Sequence, residues 1–244
     1  MHIVVCCTAV PDTASRIEVV NGVVDLSRVS MVMNPYDEYA VEEAVRLKER
    51  YGGTVSAVAV GGGEHKDVLR KALAMGADEA YLGDGRTDDA FLVAVSLARV
   101  IGELPGGKPA IVLCGKLSVQ SGRGAVGPML AGLLGIEVVS RIVHVDVAES
   151  CVELEREIEA GRQRVVASLP LLLTAEKGLN VPRKSNIKAV MLAKKKPIHS
   201  VTISVDEAQR TLVDGFRSVD RRRSCRMLGS VEEVVEVVVR ESDV

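Results

Sequence analysis

The stretch Thr54-Val55-Ser56-Ala57-Val58-Ala59-Val60, closed by Gly61-Gly62-Gly63 and followed by Val68, Leu69, Ala72 and Leu73 as far as Gly76, decides the fold. A β-branched apolar run bounded by glycines predicts a buried strand, and the apolar spacing after it predicts a helix packed on one face. Strand, glycine turn and helix form one unit of an α/β sheet. The same unit recurs outward in both directions. Toward the amino terminus lie a β-run from Ile3 to Val10, a tight hairpin at Asn21-Gly22 and a helix from about Pro35 to Glu49. In that helix Asn34 suits the N-cap and Pro35 the first helical position, while Ala40, Val41, Ala44, Val45 and Leu47 make the apolar face. Toward the carboxyl terminus follow a strand Glu79 to Leu82, a helix from about Asp88 to Ile101 and a strand Ala110 to Cys114. A glycine-rich loop and a helix from about Ala125 to Leu134 complete the series. This alternation predicts a doubly wound, mostly parallel sheet with helices on both faces.

From Val138 the texture changes. Ile142 to Val147, Cys151 to Ile158 and Arg164 to Ala167 read as an antiparallel insertion with turns at Glu149-Ser150 and Ala160-Gly161, and Leu169 to Leu173 re-enters the core. After Lys177 the chain reads as polar loop, and Lys194-Lys195-Lys196-Pro197 marks a boundary. Residues 1–198 are thus expected to be one α/β domain and residues 199–244 a C-terminal arm. The arm holds Arg221-Arg222-Arg223 and closes with an amphipathic helix from Val231 to Val239, whose apolar stripe needs a partner surface.

Bulk composition excludes several function classes. A formal charge of −2 over 244 residues lacks the basic excess of a nucleic-acid binder. The start Met1-His2-Ile3-Val4-Val5-Cys6 has no charged n-region and no apolar run spans a bilayer, so a cytoplasmic chain without membrane insertion is expected. The five cysteines show no C-x-x-C spacing and the four histidines no ligand pattern, so reduced thiols and no metal are expected. With 2% aromatic residues and no Trp, any flavin ring is expected to rest on another chain.

In a doubly wound sheet the ligand crevice lies past the carboxyl ends of the strands, where strand order reverses. Cys6 to Val10, Asn34, Val60 to Gly63 and Gly115 to Gly127 end there. The loop Gly115-Lys116-Leu117-Ser118-Val119-Gln120-Ser121-Gly122-Arg123-Gly124-Ala125-Val126-Gly127-Pro128 carries the most chemistry. Its glycines let N–H groups converge, Ser118, Ser121 and Arg123 add donors, and a helix N-terminus follows, which together suit a phosphate cradle. An ordinary loop before a helix is the plainer alternative. The loop is neither a Walker A sequence nor G-x-G-x-x-G, and no nucleophile stands beside a base. Asp37, Glu38, Glu42 and Glu43 read as solvated, dipole-favouring residues in the first turns of a helix. Lys194 to Lys196 read as a recognition patch or a solvated linker.

Several stretches together resemble the beta subunit of electron transfer flavoproteins. They are Ile3-Val4-Val5 with Val10-Pro11-Asp12, Met33-Asn34-Pro35-Tyr36-Asp37-Glu38 with Ala40-Val41-Glu42-Glu43-Ala44, Ala72-Leu73-Ala74-Met75-Gly76-Ala77-Asp78, Gly115-Lys116, Leu179-Asn180, Pro182-Arg183 and Ala193-Lys194-Lys195-Lys196. The resemblance implies an electron carrier without acid/base catalysis of its own, working with a larger alpha subunit that holds FAD. It would carry electrons from acyl-CoA or other flavin dehydrogenases to an acceptor. It also implies an adenine nucleotide, usually AMP, in the crevice, at positions matching Cys6, Asn34, Val60 and the loop Gly122 to Gly127.

The family's Asn-Gln-Thr run at the phosphate is here Gly124, Ala125 and Val126, which leaves backbone N–H groups, Ser121 and Arg123 as donors. A flavin-bifurcating branch places a second FAD in this crevice. This chain shares its Val126-Gly127-Pro128 but has Gln120 and Gly122 at the two Asp positions of that branch. AMP, a second FAD and an empty crevice all stay open. The family's recognition loop for partner dehydrogenases falls on Leu179 to Met191, with Ile187 at the anchor, Lys188 in place of the following Pro, and Lys184 flanking. An ATP-hydrolysing enzyme is disfavoured because no Asp or Glu occurs from Gly115 to Leu134 to hold Mg²⁺. A nucleotide-sensing module without redox function, needing no alpha partner, is the other rival.

Overall fold

The computed structural model describes residues 1–85, 88–148, 151–219 and 225–242. The elements run in chain order as β1 (His2–Cys6), β2 (Ala9–Pro11), β3 (Glu18–Val20), β4 (Val23–Asp25), β5 (Met31–Met33), α1 (Pro35–Tyr51), β6 (Thr54–Val60), α2 (Glu64–Met75), β7 (Glu79–Gly83) and α3 (Ala90–Gly102). They continue as β8 (Ile111–Gly115), α4 (Val126–Leu134), β9 (Glu137–Val147), β10 (Val152–Ile158), β11 (Gly161–Ala167), β12 (Leu171–Ala175), α5 (Ile187–Lys195), β13 (His199–Val201) and α6 (Val231–Ser242).

Among the described residues one large sheet has the order β11-β10-β9-β12-β8-β1-β6-β7-β13. It is parallel from β9 to β13, and the β9–β10 and β10–β11 pairings are antiparallel, so β10 alone runs against the rest. The doubly wound, mostly parallel sheet expected from the alternation is what the chain forms. Its core lies on both faces. Ile3, Val5, Ala57 and Leu171 pack under α1 and α2, whereas Val4, Val58, Val112 and Leu172 pack under α3 and α4. β1 is followed outward by β6 and β7, and the chain then returns to place β8 on the other side of β1. That reversal opens a gap between the carboxyl ends of β1 and β8.

Asn21 and Gly22, at φ 52° and 78°, give the β3–β4 hairpin the left-handed pair that a two-residue type I′ turn requires. Three differences from the sequence reading have physical causes. β9 begins at Glu137 and pairs in parallel with β12 as well as antiparallel with β10. Arg141 at φ 63° turns the strand, with its N–H on Thr174 Oγ1 at 2.9 Å, where the β9–β12 register shifts. The stretch after Lys177 is not all loop, because Asn186 caps α5 by accepting from the Ala189 N–H at 2.8 Å. The boundary expected at 198/199 falls just before β13, which pairs in parallel with β7 and stacks His199 on Tyr81 with ring centroids 5.1 Å apart. The arm therefore opens as an edge strand of the main sheet. The Glu149-Ser150 turn and Arg221 to Arg223 lie outside the described residues.

Candidate functional site

The gap between β1 and β8 is a crevice with a cavity volume of about 170 Å³ that opens to solvent. Cys6, Cys7 and Thr8 approach it from β1, Asn34 and Asp37 from the start of α1, Val60 from β6, and Ala90, Val93 and Leu97 from α3. Cys114 to Ser118 and the loop around Ser121, Arg123, Gly124, Ala125, Val126 and Gly127 close the remaining side. The predicted residues Cys6, Asn34, Val60, Ser121, Arg123, Gly124, Ala125, Val126 and Gly127 thus converge on one cavity. Gly122 does not line it; it turns the loop, with its N–H on Ser118 O at 2.7 Å.

The loop is built for backbone contacts. Gly124 has φ +62°, and a Cβ there would meet Lys116 O at 3.2 Å. A Cβ on Gly127 would come within 2.8 Å of Thr174 Cγ2, so glycine lets α4 lie directly on β12. Ala125 at the N-cap of α4 supplies no side-chain bond, which leaves the first N–H groups of that helix to face an anion.

Asp37 holds the floor together. Its carboxylate accepts from Thr8 N–H at 2.8 Å, Gly115 N–H at 3.1 Å and Asn34 Nδ2 at 2.9 Å, which ties the ends of β1 and β8 to α1. Burial pushes the Asp37 carboxyl up to about 7, and the three hydrogen bonds oppose that rise only in part. Asn34 makes no side-chain cap bond. Its amide instead donates to Leu117 O at 2.9 Å and accepts from Val119 N–H at 3.1 Å, so it fastens the base of the loop.

The reading of α1's acidic residues as solvated is corrected here. Asp37, Glu42 and Glu43 are 5%, 2% and 8% exposed and take long-range partners. Arg183 Nε donates to Glu42 at 2.8 Å and Asn180 Nδ2 to Glu43 at 2.8 Å. Glu38 alone stays half-exposed, paired with Lys71. Beside the crevice Lys116 donates to the buried Glu176 at 2.7 Å and lies over the Tyr36 ring at 4.8 Å. Burial costs the Lys116 charge, but Glu176 outweighs it and raises the pKa.

Burial first, and Asp37 next, push the Cys7 thiol up, while Cys6 and burial push up that of Cys114. These sulfurs stay protonated and offer no nucleophile. Ile187 heads α5 at 82% exposure, with Lys184 and Lys188 also exposed, well away from the crevice lining. Lys196 is no free patch, since its Nζ donates to Ala77 O at 2.9 Å; Lys194 and Lys195 are exposed. Sequence reasoning missed Asp37, Val93 and Leu97 as crevice residues. The i, i+4 spacing of Val93 and Leu97 fits an ordinary core face, and nothing local sets them apart.

Among the described residues no group of His, Cys, Asp and Glu could hold a metal ion, and no helix is long and apolar enough to cross a membrane.

A parallel sheet that reverses order at its centre, with a cavity at the reversal and a glycine-rich loop leading into a helix on its wall, defines a doubly wound α/β protein with its ligand crevice at the switch point. Comparison with known proteins narrows this class. The electron transfer flavoprotein domain matches residues 21–206. The chain is 37% identical over 193 residues to the electron transfer flavoprotein subunit beta of Bacillus subtilis, covering 79% of this chain and 75% of that one. It is 36% identical over 249 residues to the subunit beta of Clostridium acetobutylicum, covering 99% and 95%. It is also 37% identical over 191 residues to Protein FixA of Azotobacter vinelandii, covering 75% and 68%. The chain belongs to the electron transfer flavoprotein family, whose subunits are electron carriers and whose beta subunits pair with an alpha subunit.

Proposed function

We propose that this chain is the beta subunit of a heterodimeric electron carrier, that its crevice takes the adenylate of AMP, and that it helps hold FAD on the larger subunit. The observation that carries the nucleotide reading is the convergence of Asn34, Val60 and the Ser121–Gly127 loop on one cavity. The donor set fits a phosphate: backbone N–H groups at the start of α4, the Ser121 hydroxyl and the Arg123 guanidinium. None of the described crevice residues is aromatic, which supports an adenylate here and a flavin ring resting mainly on the other chain. FAD supplies the redox chemistry when bound. This chain's residues position the nucleotide and present surfaces to partners.

Two surfaces support the partner reading. Val231, Val234, Val235, Val238 and Val239 form an exposed stripe on α6 for the larger subunit. Ile187, with Val181 and Met191 at 79% and 60% exposure, forms an apolar knob among Lys184 and Lys188 for a flavin dehydrogenase. Ile187→Ala is expected to slow reduction by the partner dehydrogenase about tenfold, the worth of one buried aliphatic side chain, while subunit assembly stays intact. Stopped-flow reduction with size-exclusion chromatography checks both parts, and an unchanged rate removes the anchor role.

The nucleotide reading is tested by purifying the heterodimer, denaturing it and quantifying what it releases. One FAD with one AMP is the expected result. Two FAD and no AMP assigns the crevice to a second flavin, as in a bifurcating carrier, and FAD alone at one per heterodimer leaves the crevice without a nucleotide.

A further inference from the structure

The first part of the arm does not run free. From β13 it passes Asp84, whose carboxylate accepts from Ile203 N–H at 2.8 Å, and Arg99, which grips Glu207 with contacts of 2.8 and 3.0 Å. It then reaches Asp89, which is 0% exposed and serves two segments at once. One oxygen of Asp89 caps α3 through the N–H groups of Phe91 at 2.7 Å and Leu92 at 3.1 Å. The other accepts from Arg210 N–H at 2.6 Å, Thr211 N–H and Thr211 Oγ1 at 3.1 Å. Arg210 lies over the Phe91 ring at 4.2 Å, and beyond it Phe216 N–H reaches Gly22 O at 2.9 Å on the hairpin. At Arg210 and Thr211 this path reaches the crevice rim, since Asp88, Ala90 and Arg123 all line the cavity. Arg123 joins the two, its Nη1 donating to Asp88 O at 3.2 Å and to Thr211 Oγ1 at 3.4 Å.

We propose that residues 203–216 are a strap latched by Asp89 along the mouth of the crevice, and that through Thr211 the strap holds Arg123 beside the phosphate of the bound nucleotide. Asp89 and Thr211 are then positioning residues, acting on the nucleotide only through Arg123. The proposal rests on the nucleotide reading above. Without the latch the Arg123 side chain samples its full rotamer range, and a fixed guanidinium at the phosphate end is lost.

The test uses the heterodimer stripped of nucleotide and titrated with AMP and, separately, with adenosine. Thr211→Val removes only the hydroxyl. Asp89→Asn leaves a good N-cap for α3 while replacing the acceptor that faces Arg210 and Thr211. Both variants are expected to weaken AMP about threefold to tenfold, the worth of one hydrogen bond, and to leave adenosine binding at the wild-type level. In Asp89→Asn, amide exchange at Arg210 and Thr211 rises as well. An unchanged AMP-to-adenosine ratio in both variants overturns the latch, and so does an equal loss for both ligands, which marks a merely structural role. A wild-type protein that binds neither ligand removes the nucleotide reading itself and is recognised before any variant is compared.

Discussion

Asp37→Ala is expected to destabilise the protein by about 3 kcal/mol, because three N–H donors that meet on one carboxylate lose their acceptor together. Thr8 N–H and Gly115 N–H sit at the ends of neighbouring strands, and Asn34 Nδ2 fastens the crevice loop, so the loss falls on the site as well as on the fold. The effect has a pH signature. Burial raises the Asp37 carboxyl from its ordinary 3.8 to about 7 in the native state. Between those values the native protein holds a proton that the unfolded chain has released. The group's contribution is therefore complete below about pH 4 and is lost as pH rises through about 7, by roughly 4 kcal/mol at about 1.4 kcal/mol per pKa unit. Asp37→Asn cannot titrate. The stability gap between wild type and Asp37→Asn should be widest at or below about pH 4, narrow as pH rises to about 7 and stay constant above that in denaturant unfolding series. A gap independent of pH would falsify the assignment of a raised pKa to this carboxyl.

Arg183→Ala is expected to cost about 2 kcal/mol and to loosen the segment that carries Ile187. Arg183 bridges Glu42, contacted at 2.8 Å by Nε and at 3.1 Å by the backbone N–H, and Glu49, contacted at 2.6 Å by Nη1. Breaking a buried ion pair costs about 3–5 kcal/mol. The lower figure applies because the Arg183 side chain is 34% exposed and Arg46 still serves Glu42 at 2.6 Å. Burial opposes the Glu42 charge, but Arg183 and Arg46 outweigh it and hold the carboxyl below its usual range. Arg183→Lys keeps one charge without the fork that reaches both carboxylates, so it should fall between wild type and alanine. Thermal unfolding measures the first effect. Reduction by the proposed partner dehydrogenase measures the second, and a stable but slow variant identifies Arg183 as the clamp of the α5 surface.

The layout of the sheet was legible because its signals are local. Thr54 to Val60 is predicted and observed with the same bounds, since an apolar run between glycines admits little else. Asn21-Gly22 specifies its turn by the left-handed pair alone. The crevice followed from strand order, and the loop from its glycines. Three elements were not legible, each for a different reason. α5 hides its helical period, because Ile187, Met191 and Leu192 face outward and only Ala193 is buried, so the apolar positions do not mark a core face. Its one usable signal was Asn186 at the N-cap. The burial of Asp37, Glu42 and Glu43 depends on partners in distant segments, and their local spacing in the first turns of a helix fits a solvated face equally well. The strap at 203–216 belongs to no helix or strand and mixes apolar with polar residues without a period, and only the approach of α3 gives Arg210 and Thr211 a carboxylate to bind.

β13 is the outer neighbour of β7, yet more than a hundred residues separate them along the chain. During synthesis β7 is finished early and exposes an unpaired row of N–H and C=O groups until His199 to Val201 emerge and fold back. An exposed strand edge is the feature through which chains pair with the wrong neighbour. The segment that leads into the arm is thus also the one that covers the β7 edge, so covering that edge and placing the start of the arm are one structural step.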